Sequence, residues 1–151
     1  MDYTLSGTME AVSDFNTTII DEFRANNGTV TTAGFGRGLI LLHTVGARSG
    51  AERINPLMSI PEESGGRLIV GSAAGSPKDP AWVHNLRKHP EVTVERPGDV
   101  GVETYTARAT ELDPVQREQA WQLFLAVSDG FAQYTETAEG RAFPIFRLTP
   151  H

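Results

Sequence analysis

The chain has no cysteine, so disulfide frameworks, thiolate metal sites and cysteine nucleophiles are all excluded. It lacks the excess of basic residues that a general phosphate-backbone binder carries: 13 Lys and Arg stand against 19 Asp and Glu, for a net charge of −6. It has no apolar run near the roughly 18 residues needed to cross a bilayer. Met1 to Glu10 holds two acids and no apolar stretch of the kind a secretory signal needs, so the expected location is cytoplasmic. Strand-to-helix G-x-G-x-x-G, G-x-S-x-G and a P-loop ending in Gly-Lys-Ser/Thr are missing too, which removes a Rossmann unit, a serine hydrolase elbow and an NTPase. His43, His84, His89 and His151 form no H-x-H or H-x-x-x-H pair, so no metal site is expected.

What is present fits one domain over residues 1–151, with 39% hydrophobic and 21% charged residues. Its charge is unevenly spread. Residues 1–36 carry −4 and residues 89–151 carry −5, whereas residues 37–88 carry +3. A basic middle third is either an anion site or a chance cluster of surface charge.

Periodicity gives the element order. Phe15, Ile19 and Phe23 fall on one face of a helix over about 13–26, with Ser13 or Asp14 as cap and Asn27-Gly28 as stop. Gly38 to Val45 reads as a buried strand. Gly46 to Gly50 is a turn, and Arg53 to Ile60 a second strand whose Pro56 asks for an edge or a bulge. Arg67 to Ala73 follows after a short turn, so these three strands are expected as an antiparallel meander. Asp79-Pro80 should open a short helix as N-cap and first residue, with Trp82, Leu86 and His89 on one face. Val92 to Leu112 reads as a hairpin, Asp113 to Gln116 as a capping box before a helix, Phe131 to Glu139 as a short helix, and Pro144 to Leu148 as a closing strand. About six mostly antiparallel strands with flanking helices make an α+β barrel or half-barrel over about residues 37–150.

Chemistry is sparse. His43 reads as a satisfied core or barrel-lining residue. Gly71 to Gly75 is either an ordinary loop or a place where backbone approaches a flat ligand closely. With no nucleophile, metal set or carboxylate pair, an enzyme built on this chain would use a borrowed cofactor.

Three segments taken together resemble the deazaflavin-dependent nitroreductase family of split β-barrels. They are Leu41-Leu42-His43-Thr44-Val45-Gly46-Ala47-Arg48-Ser49-Gly50 with Arg53-Ile54-Asn55-Pro56-Leu57, then Asp79-Pro80-Ala81-Trp82-Val83-His84-Asn85-Leu86 with His89-Pro90-Glu91-Val92, and Phe143-Pro144-Ile145-Phe146. The resemblance implies coenzyme F420 rather than FMN, with its phosphate and oligoglutamate tail, and hydride transfer to a quinone, enone or nitroaromatic. A carrier that binds F420 without turnover, or an FMN-dependent split-barrel reductase, is the alternative. It places Ala47, Arg48, Ser49 and Arg53 at phosphate and tail, and Ile54, Asn55, Pro56, Leu57 and Met58 beside the deazaflavin. Val70, Gly71, Ser72 and Ala73 press backbone on the ring, and Trp82, Val83, His84 and Asn85 complete the wall. Ser72 and Tyr134 offer catalytic hydroxyls, and Phe131, Tyr134 and Trp82 meet the substrate.

Ala47 and Ala73 stand where relatives often carry cations, which Lys78 or Arg37 would have to replace. Phe131 stands where the nitroimidazole-reducing type has Tyr, so quinones or enones are the expected substrates. The expected partners are a small electrophile and at most a second copy of the chain. No nucleic acid is expected, and no membrane insertion beyond peripheral contact at the inner face.

Overall fold

A computed structural model describes residues 9–71, 79–127 and 142–151 of the chain. Helix α1 spans Met9–Ala25, four residues earlier than the sequence signals suggest. Ser13 and Asp14 therefore lie inside it and not at its start, because Met9, Glu10 and Ala11 are themselves good helix formers. Ile19 and Phe23 are fully buried and Phe15 packs beside them. Asn27 and Gly28 end the helix with φ of 56° and 94°, the left-handed conformation that stops a helix.

The strands are β1 (Leu39–Val45), β2 (Glu52–Met58), β3 (Ile60–Pro61), β4 (Arg67–Val70), β5 (Glu91–Arg96), β6 (Glu103–Glu111) and β7 (Ile145–Pro150). Between them lie α2 (Ala81–Lys88) and α3 (Pro114–Val127). They form one curled antiparallel sheet in the order β2-β1-β5-β6-β7-β4-β3. Its two edge strands, β2 and β3, are separated in the chain by Ser59 alone. One bent strand thus supplies both edges and draws the sheet into a half-barrel. Ser59 is buried at the bend, where its N–H donates to Gly38 O (2.9 Å) and its Oγ accepts from Arg67 Nη1 (3.0 Å).

This arrangement corrects the expected meander. After the bend only Ile60 and Pro61 reach β4, and the other edge of β4 pairs with β7, Ile69 opposite Phe146. Between β2 and β4 the barrel is split: the two strands come close without a ladder. Pro56 sits on the edge strand, where its missing N–H costs no internal ladder bond.

Alternation along the strands fixes the layers. Ile40, Leu42, Ile69, Val92, Val94, Ala107, Phe146 and Leu148 point inward and meet Trp82, Val83 and Leu86 of α2, which plugs the barrel. Leu39 and Leu41 point outward under α1, while Leu68, Val70 and Ile145 lie under Phe124 and Ala120 of α3. The capping box of α3 is formed: Gln116 N–H donates to Asp113 Oδ1 at 2.8 Å and Asp113 N–H to Gln116 Oε1 at 3.4 Å. Helix α2 departs from its expected start. Pro80 (φ −67°, ψ 154°) holds the cap position and makes no side-chain capping bond. Asp79, the residue before it, lies 3.7 Å from Arg87.

Candidate functional site

The turn over residues 46–50 is built from its own backbone and then fastened to α2. Gly46 N–H donates to Ala51 O (2.8 Å), and Gly50 N–H to Gly46 O (3.0 Å), with Gly50 at φ +70° where a side chain would strain the turn. Ala51 N–H donates to Ser49 Oγ at 3.1 Å. From the helix, Asn85 Oδ1 accepts the Ala47 N–H (2.9 Å) while its Nδ2 donates to Thr44 Oγ1 (3.1 Å). Lys88 Nζ donates to Ala47 O at 2.9 Å. Asn85 and Thr44 are both buried, so the clamp is a desolvated one.

Ladder register decides which side of β2 faces this assembly. Arg53, Asn55 and Leu57 lie opposite Thr44, Leu42 and Ile40, on the inward face shared with α2. Ile54 and Met58 point the other way and pack under α1. Of the segment expected beside the ligand, alternate side chains therefore serve the α1 interface. Arg48 and Arg53 are exposed and, among the described residues, form neither hydrogen bond nor ion pair. Arg24, Arg87, Arg96, Arg108 and Arg147 are each committed to a carboxylate. The turn and the start of β2 thus hold free cations beside the split, a donor set suited to phosphate or carboxylate.

Other expected residues have different surroundings. Trp82 is buried, edge-on to Phe146 at 6.1 Å between centroids, and Val83 is fully buried. A Cβ on Gly71 would stand 2.7 Å from Val83 Cγ2 and 3.2 Å from Pro144 Cγ, so packing inside the chain already requires glycine there. His84 is exposed on α2. Arg37, a suggested substitute cation, is engaged with Thr29 Oγ1 and Gly98 O. Ser72, Ala73, Lys78, Phe131 and Tyr134, with the helix expected over 131–139, lie outside the described residues.

A cavity of about 260 Å³ opens elsewhere, on the outer face, lined in part by His43, Glu52, Glu91, Thr93, Thr106 and His151. Its carboxylates are paired with His43, His151 and Arg108, and it presents no free cation, so it does not suit a polyanion. Nearby, Arg24 forks onto Glu95 at 3.0 and 2.7 Å, and His43 Nε2 reaches the same carboxylate at 2.6 Å. The Arg24 guanidinium holds the Glu95 carboxyl below its ordinary range despite burial, with His43 acting in the same direction. His43 is thus a satisfied residue of the α1 interface. The roles of Lys88 and Glu95 escape sequence reading because both depend on contacts dozens of residues apart, and only helix spacing (Asn85 and Lys88, three apart) hints at a shared face.

Residues 17–150 match the model of a family described as F420H(2)-dependent quinone reductase. An F420H(2)-dependent quinone reductase of Mycobacterium tuberculosis H37Rv is 31% identical over 115 residues, covering 73% of this chain and 72% of that protein. The solved structure of an F420-H2 dependent reductase, FDR-A, superposes with a TM-score of 0.64 at 33% identity, over 74% of this chain and 94% of that one. A further solved structure, a domain-swapped dimer, gives 0.65 at 30% identity over 93% and 99%.

Proposed function

The chain belongs to the F420H(2)-dependent quinone reductase family and is an F420H2-dependent oxidoreductase, and we propose that it reduces small quinones or enones at the split between β2 and β4. The observation that carries the placement is the pair of unpartnered cations, Arg48 and Arg53, on a turn clamped to α2 beside that split. When bound, F420H2 supplies the hydride. The residues here bind, orient and exclude water, which is what joining two flat reactants requires of a protein. Arg48 and Arg53 hold phosphate and tail, and Ser49, whose Oγ accepts inside the turn, keeps its O–H to donate. Asn55 and Leu57 border the ring from β2, and the backbone at Val70 and Gly71 borders it from β4. Ser72 or Tyr134 orients the acceptor's oxygen and gives up the proton that completes reduction. Phe131 and Trp82 provide apolar walls.

The assay follows loss of reduced deazaflavin absorbance with quinones, enones and nitroaromatics. Quinone turnover supports the reading, and tight F420H2 binding without oxidation by any acceptor leaves only a carrier. Arg48→Ala and Arg53→Ala should each weaken F420 binding by about 1–3 kcal/mol, as for charged hydrogen bonds. Unchanged affinity in both removes the anion site from this turn. We also place the enzyme in the cytoplasm, as a monomer or homodimer with at most peripheral contact at the inner membrane face. No helix among the described residues is long and apolar enough to span a bilayer. Fractionation and sedimentation mass test these two points.

A further inference from the structure

Ala47 brings no charge to the turn, yet a cation stands on its carbonyl. Lys88, the last residue of α2, donates from Nζ to Ala47 O at 2.9 Å. An ammonium has three donors, so two remain. Lys88 is exposed and has no carboxylate partner among the described residues, whereas Arg87 beside it is taken by Glu111 at 2.9 and 2.8 Å. Its position is also electrostatically sensible, because the C-terminal end of a helix carries partial negative charge that would otherwise face an incoming anion. Arg48 follows Ala47 in the chain. Arg53 lies opposite Thr44, which Asn85 ties to the same helix.

We propose that Lys88 is the third cation of the F420 site, delivering from a helix the charge that the turn lacks at Ala47 and binding the cofactor's phosphate or tail carboxylates. The proposal rests on the reading that this turn holds the anionic part of F420. Lys88 acts on binding and not on hydride transfer, so its effect belongs in the dissociation constant.

The test titrates three ligands by deazaflavin fluorescence: the ribityl deazaflavin without phosphate or tail, the phosphate-bearing form without glutamates, and tailed F420. Lys88→Ala should raise the Kd of tailed F420 by about fivefold to thirtyfold, leave that of the ribityl deazaflavin unchanged, and lower the melting temperature by no more than the few degrees that one exposed hydrogen bond supplies. Loss already seen with the untailed phosphate form assigns Lys88 to phosphate; loss confined to the tailed form assigns it to the carboxylates. Lys88→Arg should bind as the parent does, and adding Ala47→Lys to Lys88→Ala should restore affinity by moving the charge onto the turn. An unchanged Kd for tailed F420, or equal losses for the ribityl deazaflavin and the tailed form, overturns the proposal. Failure of the parent to bind any of the three ligands refutes the F420 site itself, and this assignment with it.

Discussion

Replacing Asn85 separates the scaffold of the turn from its charge. Asn85→Ala removes the acceptor of the Ala47 N–H (2.9 Å) and the donor to Thr44 Oγ1 (3.1 Å). Two net hydrogen bonds amount to about 1–3 kcal/mol, and the larger part should come from the Thr44 side, since Thr44 is 1% exposed and water reaches the Ala47 amide more easily. For a domain of this size that corresponds to a fall in melting temperature of roughly 3–10 °C. Asn85→Asp is the informative companion. A carboxylate oxygen still accepts the Ala47 N–H, and the Thr44 hydroxyl can turn to donate to the other oxygen. Much of the clamp survives, while a negative charge now lies beside the free cations. At an effective dielectric of a few tens and several ångströms, that charge should weaken anion binding by about 1 kcal/mol, or roughly fivefold. Calorimetric melting and F420 titration read the two effects, and amide exchange at Ala47 reports the clamp directly. If Asn85→Ala melts as the parent does with Ala47 still protected, the clamp is not what holds the turn. If Asn85→Asp binds F420 as tightly as the parent, no anion sits near it.

Gly71→Ala pushes a methyl within 2.7 Å of Val83 Cγ2 and should cost about 1–3 kcal/mol by overpacking, recovered in part by Val83→Ala, as denaturant unfolding would show. Glu22 receives the hydroxyls of Thr32 and Thr31 and the Thr31 amide, which hold its carboxyl at about 2 against an ordinary 4.5. A depressed folded-state value stabilises above about 4.5 and loses that effect as pH falls toward about 2. Glu22→Gln should therefore be less stable than the parent at pH 7 and equal to it near pH 2 in melts across that range. Glu95→Ala strips Arg24 and His43 of a buried shared partner and should loosen α1, seen as faster amide exchange at Ile19 and Phe23 while the inner core stays protected.

The sequence made the strands, the α3 capping box and the split-barrel class legible, because each depends on local spacing or on an ordered set of motifs. The meander over the first three strands was not legible. Adjacent strands usually pair, but here the bend at Ser59 leaves two residues for one edge of β4, and its opposite edge pairs with β7, more than 70 positions away. At the site, Arg53, Asn55 and Leu57 share the inward side of β2, and Asn85 holds the turn that carries Arg48. Treating residues 54–58 as one ligand-facing stretch did not, since strand alternation sends Ile54 and Met58 to α1. The smallness of Gly71 has a reason inside the chain that sequence does not show, since Val83 and Pro144 occupy the position a Cβ would take. Lys88 could not be read at all, because its meaning lies in Ala47 O, 41 positions earlier.

The seat of β7 between β6 and β4 sets an order of assembly. Residues 67–70 and 145–148 must meet before the sheet is continuous, so on the ribosome the hairpin of β3 and β4 waits for nearly the whole chain. The meander β2-β1 with β5-β6 can form earlier around α2. Until residues 145–150 emerge, the edges of β4 and β6 that seat β7 lack their partner, and the apolar residues Leu68, Ile69 and Val70 stand open to a neighbour's closing strand. Folding yield should accordingly be most sensitive to truncation at the C-terminal end, and exchange of β7 between two chains is the misassembly that this connectivity invites.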